Sequence, residues 1–223
     1  MTDTIPIRAF LDDSHLEFSP RVDAFAIEEM GALPEPVDDP DSRRQARHLL
    51  EVLGRGRWFD PIRRQDWRAC CLTRESLAAV SPLADSVFAL QALGSVPIQL
   101  SDNQAMQDRW LSAALSGEAM MAFAMTEPEA GSDVAAMSTS AWRDGTEYVL
   151  NGQKTLISNA GIADVYTVFA VTDPHGGKNA ISCFAVPAET PGLEFRGPQV
   201  MSAPHPLGDI AFHDCRVPEA FRL

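Results

Sequence analysis

A change of hydrophobic period near Gly117 constrains this chain more than any other feature. Before it, apolar residues recur at helical spacing. Ala46, Leu49, Leu50 and Leu53 fall on one face, as do Met106, Trp110, Ala113 and Ala114. After it come short β-rich runs separated by Gly, Asn, Asp and Pro turns. The chain therefore reads as α+β, helical over residues 1–117 and antiparallel β over residues 118–223. Helices are expected at 22–30, from the Asp41-Ser42 cap to Gly54, at 74–80, at 85–94, and at 103–116 behind a cap at Ser101 or Asp102. Met106 and Trp110 are expected in the core. Strands are expected at 166–171, 181–186 and 210–217, with turns at 143–146, 173–177 and 190–192. Asn151-Gly152, between β-rich triplets at 148–150 and 154–156, predicts a two-residue hairpin.

The 45% hydrophobic and 22% charged content fit a soluble globular protein, and no apolar stretch is expected to reach the length of a membrane span. The N-terminus lacks the basic and apolar segments of a secretory signal. Four cysteines without metal-ligand spacing point to reduced thiols in a cytoplasm. A net charge of −13 argues against a nucleic-acid partner. The charge is also uneven. Residues 1–41 carry eleven carboxylates against Arg8 and Arg21, and residues 43–74 carry nine arginines against three carboxylates. Solvated helix faces or pairing between the segments explain this, and so does a contact for phosphate or an acidic partner.

Two segments carry the chemistry. In the first, Phe123-Ala124-Met125 breaks into Thr126-Glu127-Pro128, then Glu129-Ala130, then Gly131-Ser132-Asp133. Pro128 fixes its own φ and biases Glu127 toward extended backbone, and Gly131 permits a tight turn or close approach to a ligand. A strand should therefore run into a loop rich in hydroxyls and N–H donors, suited to an anionic ligand. The second segment is Leu150-Asn151-Gly152-Gln153-Lys154-Thr155-Leu156-Ile157-Ser158-Asn159-Ala160-Gly161.

The first segment closely resembles the flavin-binding signature of the acyl-CoA dehydrogenase family, and the second resembles that family's next flavin-contacting strand. Leu207-Gly208-Asp209 through Val217-Pro218 is similar to the strand that closes its middle domain. The resemblance covers roughly residues 70–220. It implies a helical N-terminal domain, a middle antiparallel β-barrel, and FAD as cofactor. The implied substrate is acyl-CoA or another acyl thioester, and the implied electron acceptor is an electron-transfer flavoprotein or similar protein. Phe123, Met125 and Thr126 match positions that approach the flavin ring. Gly131 and Ser132 match positions near the pyrophosphate and the thioester, so Ser132 is also a substrate-contact candidate. Leu156, Ile157 and Ser158 match the second flavin-contacting segment.

Local alternatives stand beside these roles. The Thr126 hydroxyl could bond local backbone, and Ser132 could cap the next segment. Ser158 stands where the family commonly has Thr and keeps the hydroxyl. Leu156 stands where an aromatic Trp is common, which gives up stacking area. The resemblance places the catalytic base and much of the FAD site in a C-terminal bundle beyond Leu223. No base is therefore assigned; Glu127 and Glu129 are read as loop residues, and His205 and His213 as bystanders. A partner chain carrying that bundle, or a homo- or hetero-oligomer, is implied. The competing readings are a non-catalytic truncated paralogue, and an oxidase or flavin monooxygenase on the same scaffold.

Overall fold

The structure is a computed structural model that describes residues 2–176, 180–202 and 205–223. Of the loop expected at 173–177, residue 177 lies outside these. Five longer or short helices come first: α1 (Asp13–Met30), α2 (Asp39–Arg55), α3 (Asp60–Arg63), α4 (Trp67–Val80) and α5 (Pro82–Leu100). Two short helical pieces, α6 (Gln104–Met106) and α7 (Ser112–Ser116), flank a π-helical turn at Gln107–Leu111. Then follow β1 (Met121–Ala124), β2 (Ser140–Asp144), β3 (Glu147–Ser158), β4 (Val165–Val171), β5 (Ile181–Pro187), β6 (Leu193–Pro198) and β7 (Leu207–Pro218).

Helices precede strands as expected, but most helices start earlier than their apolar pattern suggested. In α1 a capping box fixes the start at Asp12, with His15 Nδ1 accepting from the Asp12 N–H at 3.1 Å. Pro20 is tolerated inside α1 because it sits on the exposed face, where water can serve the freed carbonyl. α2 is capped by Asp38, not by Asp41-Ser42; the Asp38 carboxylate accepts the Asp41 N–H at 2.8 Å, and Pro40 occupies the first turn, where its missing N–H costs nothing. α4 begins at Trp67 behind an Asp66 cap. The last helical stretch is capped by Asn103, not by Ser101 or Asp102.

α5 does not stop at Gly94. Gly94 is there to let β1 approach: a Cβ on it would stand 2.5 Å from the Met121 Cβ. The helix runs on through Pro97 to give 19 residues of mean hydropathy 1.2, long and apolar enough by length and composition to cross a membrane. This corrects the expectation that no stretch would be. Its buried side, including Leu83, Val87, Phe88 and Ile98, packs into the helical core with Leu49, Leu53, Phe59 and Leu77 and into the cluster below β1.

Among the described residues the strands form one curled seven-stranded sheet in the order β1-β4-β2-β3-β7-β6, with β5 paired to β4. Most pairings are antiparallel, including β3–β7, β4–β5 and β6–β7. β4 runs parallel to β1 and meets β2 in parallel at Val171 and Ser140, because the β2–β3 hairpin intervenes and returns the chain in its first direction. Asn151-Gly152 makes no hairpin. Both residues lie inside β3, at a register shift against β7, and the turn is at 145–146, between Asp144 and Glu147. β6 was not expected at all. Leu150, Ile157, Val168, Phe184, Phe212 and Val217 fill the inside of the sheet. Met106 is buried as expected, whereas Trp110 is only half-buried and packs against the edge of the same cluster.

The uneven charge is partly absorbed by pairing. Arg68 bonds Asp12, His15 bonds Asp66, and Arg74 grips Asp85 at 2.7 and 2.9 Å. Arg43 and Arg47 of α2 reach across to the sheet instead. Arg43 donates to the carbonyls of Ala160 and Leu207, and Arg47 to the Ile162 carbonyl and the Asp164 carboxylate.

Candidate functional site

β1 ends at Ala124, and the chain turns at Glu127–Ala130. Reciprocal backbone bonds close this turn, Glu127 N–H to Ala130 O at 3.0 Å and Ala130 N–H to Glu127 O at 3.2 Å. Pro128 and Glu129 occupy the corner and are exposed. The Thr155 N–H of β3 donates to the Thr126 carbonyl at 2.9 Å, which lays the start of the loop along β3. Beyond the turn, Gly131, Ser132 and Asp133 are exposed, and a short 3-10 turn at Val134–Ala136 leads back toward β2.

Beneath the loop lies a buried ion pair. The Glu127 and Lys154 side chains are 2% and 0% exposed and meet at 2.8 Å. Glu127 also accepts from the Ser138 N–H and hydroxyl, both at 2.7 Å, and from the Thr139 N–H at 2.9 Å. The Lys154 ammonium donates additionally to the Met125 carbonyl at 3.0 Å. Burial alone pushes the Glu127 carboxyl up, but hydrogen bonds from Lys154, Thr139 and Ser138 outweigh it and hold its pKa at about 2. Burial pulls the Lys154 ammonium below its ordinary value, against the opposing charge of Glu127. Glu127 is therefore an anchored anion, in keeping with its reading as a loop residue.

The residues singled out in the sequence take different stations. Phe123 is half-buried on β1, tilted against Phe169 at 5.0 Å between ring centroids. Its outer side borders a 410 Å³ groove whose other walls include Trp67, Cys71, Leu93, Val96 and Pro97. Met125 and Thr126 are half-buried just past the strand. Among the described residues neither the Thr126 N–H nor its hydroxyl has a hydrogen-bond partner, while the Met125 and Thr126 carbonyls are both taken. Gly131 and Ser132 stand at the exposed end of the loop, and a Cβ added at Gly131 would meet nothing within 4 Å. Leu156 is 51% exposed, with φ of 55° at a register shift of β3. Ile157 is buried with its side chain in the sheet core, so it presents no open surface to a cofactor, contrary to the expectation. Ser158 is half-buried opposite Leu207. His213 lies exposed on β7, as expected.

Three residues that sequence reasoning passed over hold these in place. Lys154 is the first. Asn159 is the second: it is buried at φ 64°, its side-chain amide donates to the Met121 carbonyl at 2.8 Å, and its own carbonyl accepts from Ile162 and Ala163. An Asn before Ala-Gly was the available signal, since Asn tolerates left-handed backbone. Asp209 is the third. One of its oxygens accepts from the Thr155 hydroxyl and the Gln199 amide, both at 2.6 Å, and from the Leu156 N–H at 3.4 Å.

Residues 122–215 match the middle domain of acyl-CoA dehydrogenases. The chain is 32% identical over 223 residues to the probable acyl-CoA dehydrogenase FadE25 of Mycobacterium tuberculosis, a match covering 93% of this chain and 55% of that one. It superposes on the acyl-CoA dehydrogenase from Geobacillus kaustophilus with a TM-score of 0.80 at 27% identity, covering 96% of this chain and 59% of that one. PigA, solved with FAD and proline, gives a TM-score of 0.77 at 25% identity, with coverage of 96% and 58%. The chain thus spans little more than half the length of the relatives it matches. Its helices-then-curled-sheet order, the loop at 126–133 and these likenesses together show that it belongs to the acyl-CoA dehydrogenase family.

Proposed function

We propose that these 223 residues are the helical and middle-domain part of an FAD-dependent dehydrogenase that desaturates an acyl thioester, acyl-CoA being the expected form. The observation that carries this reading is the pair of donors on Thr126 left without a partner among the described residues, three positions after Phe123, which lines an apolar groove. These half-buried donors are open to water in the free protein, and an acceptor on a ligand would take the place of that water. The residues fit FAD. Thr126 and Ser158 offer half-buried hydroxyls, Gly131 and Ser132 offer open backbone to a phosphate, and Phe123 offers an apolar edge to a ring. FAD bound there would supply the hydride acceptor.

The chain's own residues then have distinct tasks. Thr126 and Ser158 orient the cofactor by donating hydrogen bonds. The groove between Phe123, Leu93 and Val96 takes the acyl chain and excludes water from it. Ser132 contacts the thioester end. Glu127 cannot serve as the base, because Lys154, Ser138 and Thr139 occupy its carboxylate. An electron-transfer flavoprotein or similar protein is the proposed acceptor. An oligomer or a further helical segment is proposed to complete the site. The four free cysteines support a reducing, cytoplasmic setting.

The test is Thr126→Val. Stranding the ligand's acceptor costs about 1–3 kcal/mol, or roughly 5- to 150-fold in affinity. FAD affinity measured by fluorescence titration should fall by that factor with the circular dichroism unchanged. Equal affinity of the variant and the parent would remove the Thr126 hydroxyl from the site.

A further inference from the structure

We propose that Glu127 and Lys154 are positioning residues, which set the direction in which the Thr126 N–H points; the proposal rests on the reading of that loop as a flavin contact. The argument starts from the peptide plane. A trans peptide places the Met125 C=O and the Thr126 N–H on opposite sides of their shared bond. The Met125 carbonyl is held by the buried Lys154 ammonium at 3.0 Å. The Thr126 N–H is thereby turned away from Lys154 and the protein interior. The next plane is fixed as well, because the Thr126 carbonyl accepts from Thr155 at 2.9 Å and the Glu127 N–H donates to Ala130 at 3.0 Å. Two consecutive peptide planes are pinned, and the one donor left over between them faces outward.

Lys154 can do this only if it is itself held. Its ammonium is shut off from water and is fixed by Glu127 at 2.8 Å. Glu127 is fixed in turn by three donors from Ser138 and Thr139, on the segment that leads into β2. The pair therefore ties the loop, β3 and the approach to β2 to one another at a single point. A buried ion pair is seldom more stabilising than apolar side chains of the same volume, so net stability is a poor account of its presence. Fixing one backbone orientation in a loop that has no helix or strand of its own is the better account.

The experiment replaces both charges at once, Glu127→Gln with Lys154→Met, so that no lone charge is buried. Amide hydrogen exchange over residues 121–130 should accelerate at least tenfold, with β4 and β5 keeping their protection. FAD affinity per folded molecule should fall at least tenfold. Unchanged exchange in that segment overturns the proposal, and so does unchanged FAD affinity in a folded double variant. If the parent chain binds no FAD either alone or joined to the helical segment that completes the site, the flavin reading fails, and the exchange arm still decides whether the pair orders the loop. If the double variant does not fold, Glu127→Asp is measured instead. It keeps both charges and shortens one arm by a methylene, and it should weaken FAD at least threefold. Affinity equal to the parent's would overturn the proposal.

Discussion

Arg47 and Asp164 join the helical and sheet halves of the molecule through two hydrogen bonds of 2.6 and 3.0 Å. Asp164 is bound a second time, to Met120 just before β1. Its N–H donates to the Met120 carbonyl at 2.8 Å, and its carboxylate accepts the Met120 N–H at 2.7 Å. The two sets of bonds differ in worth. Both charged side chains are more than a third exposed, so solvent screens their attraction. Met120 is fully buried, and its N–H has no water to turn to. Asp164→Ala should therefore cost about 1–3 kcal/mol, and Arg47→Ala distinctly less. Urea midpoints check this, and equal losses for the two variants would mean that the Arg47 bonds to Asp164 and to the Ile162 carbonyl, not the Met120 bond, carry the junction.

Gly152→Ala should be destabilising by about 1–3 kcal/mol, the usual cost of overpacking. Gly152 has φ of 144°, and a Cβ there would lie 2.6 Å from the Thr139 hydroxyl and 2.7 Å from the Thr139 Cα. Thr139 is buried and bonded to Glu127, so it has little room to move. An alanine variant as stable as the parent by thermal melting would show that the β2 approach is looser than the packing suggests.

That glycine also shows where the sequence stopped being legible. Asn-Gly between two β-rich triplets satisfies every local rule for a hairpin. What defeats the rule is non-local: β7 pairs with β3 on both sides of the dipeptide, from Pro218 opposite Glu147 to Leu207 opposite Ser158. A continuous partner strand turns a hairpin signal into a bulge. The same limit applies to the helix starts. Apolar periodicity marks where α1 and α4 bury their faces, whereas His15 with Asp12, and Asp66, decide where those helices begin. The order of helices and strands, the loop at 126–133 and the burial of Met106 could be read because each depends on local spacing. Lys154 could not be, since a lysine in a strand is ordinarily solvated and only the fold brings it to Glu127.

Glu127 gives the molecule a specific acid response. Its pKa in the folded protein is about 2, below the ordinary 4.5. A group depressed on folding contributes stability that is fully present above 4.5 and is lost as pH falls toward 2. The parent should lose stability through that window. Glu127→Gln should be less stable at pH 7 and should depend less on pH below 4.5. Other carboxylates titrate in both proteins, so the difference between their urea midpoints, measured from pH 7 to pH 2, is the quantity to follow. A difference that does not change across the window would show that Glu127 is not held as an anion.

Leu156 is the position at which stability and ligand contact can be separated. A leucine with φ of 55° carries a steric cost that glycine does not, and its half-exposed side chain recovers little of that cost by burial. Leu156→Gly should thus raise stability by roughly 1 kcal/mol in the absence of ligand. The chain keeps this strained leucine at the edge of the loop, where Asp209 accepts its N–H. If the side chain lies against the flavin ring, Leu156→Trp should change the absorbance or fluorescence of bound flavin through stacking. A stabilising glycine together with an unaltered flavin spectrum in the tryptophan variant would place Leu156 away from the ring.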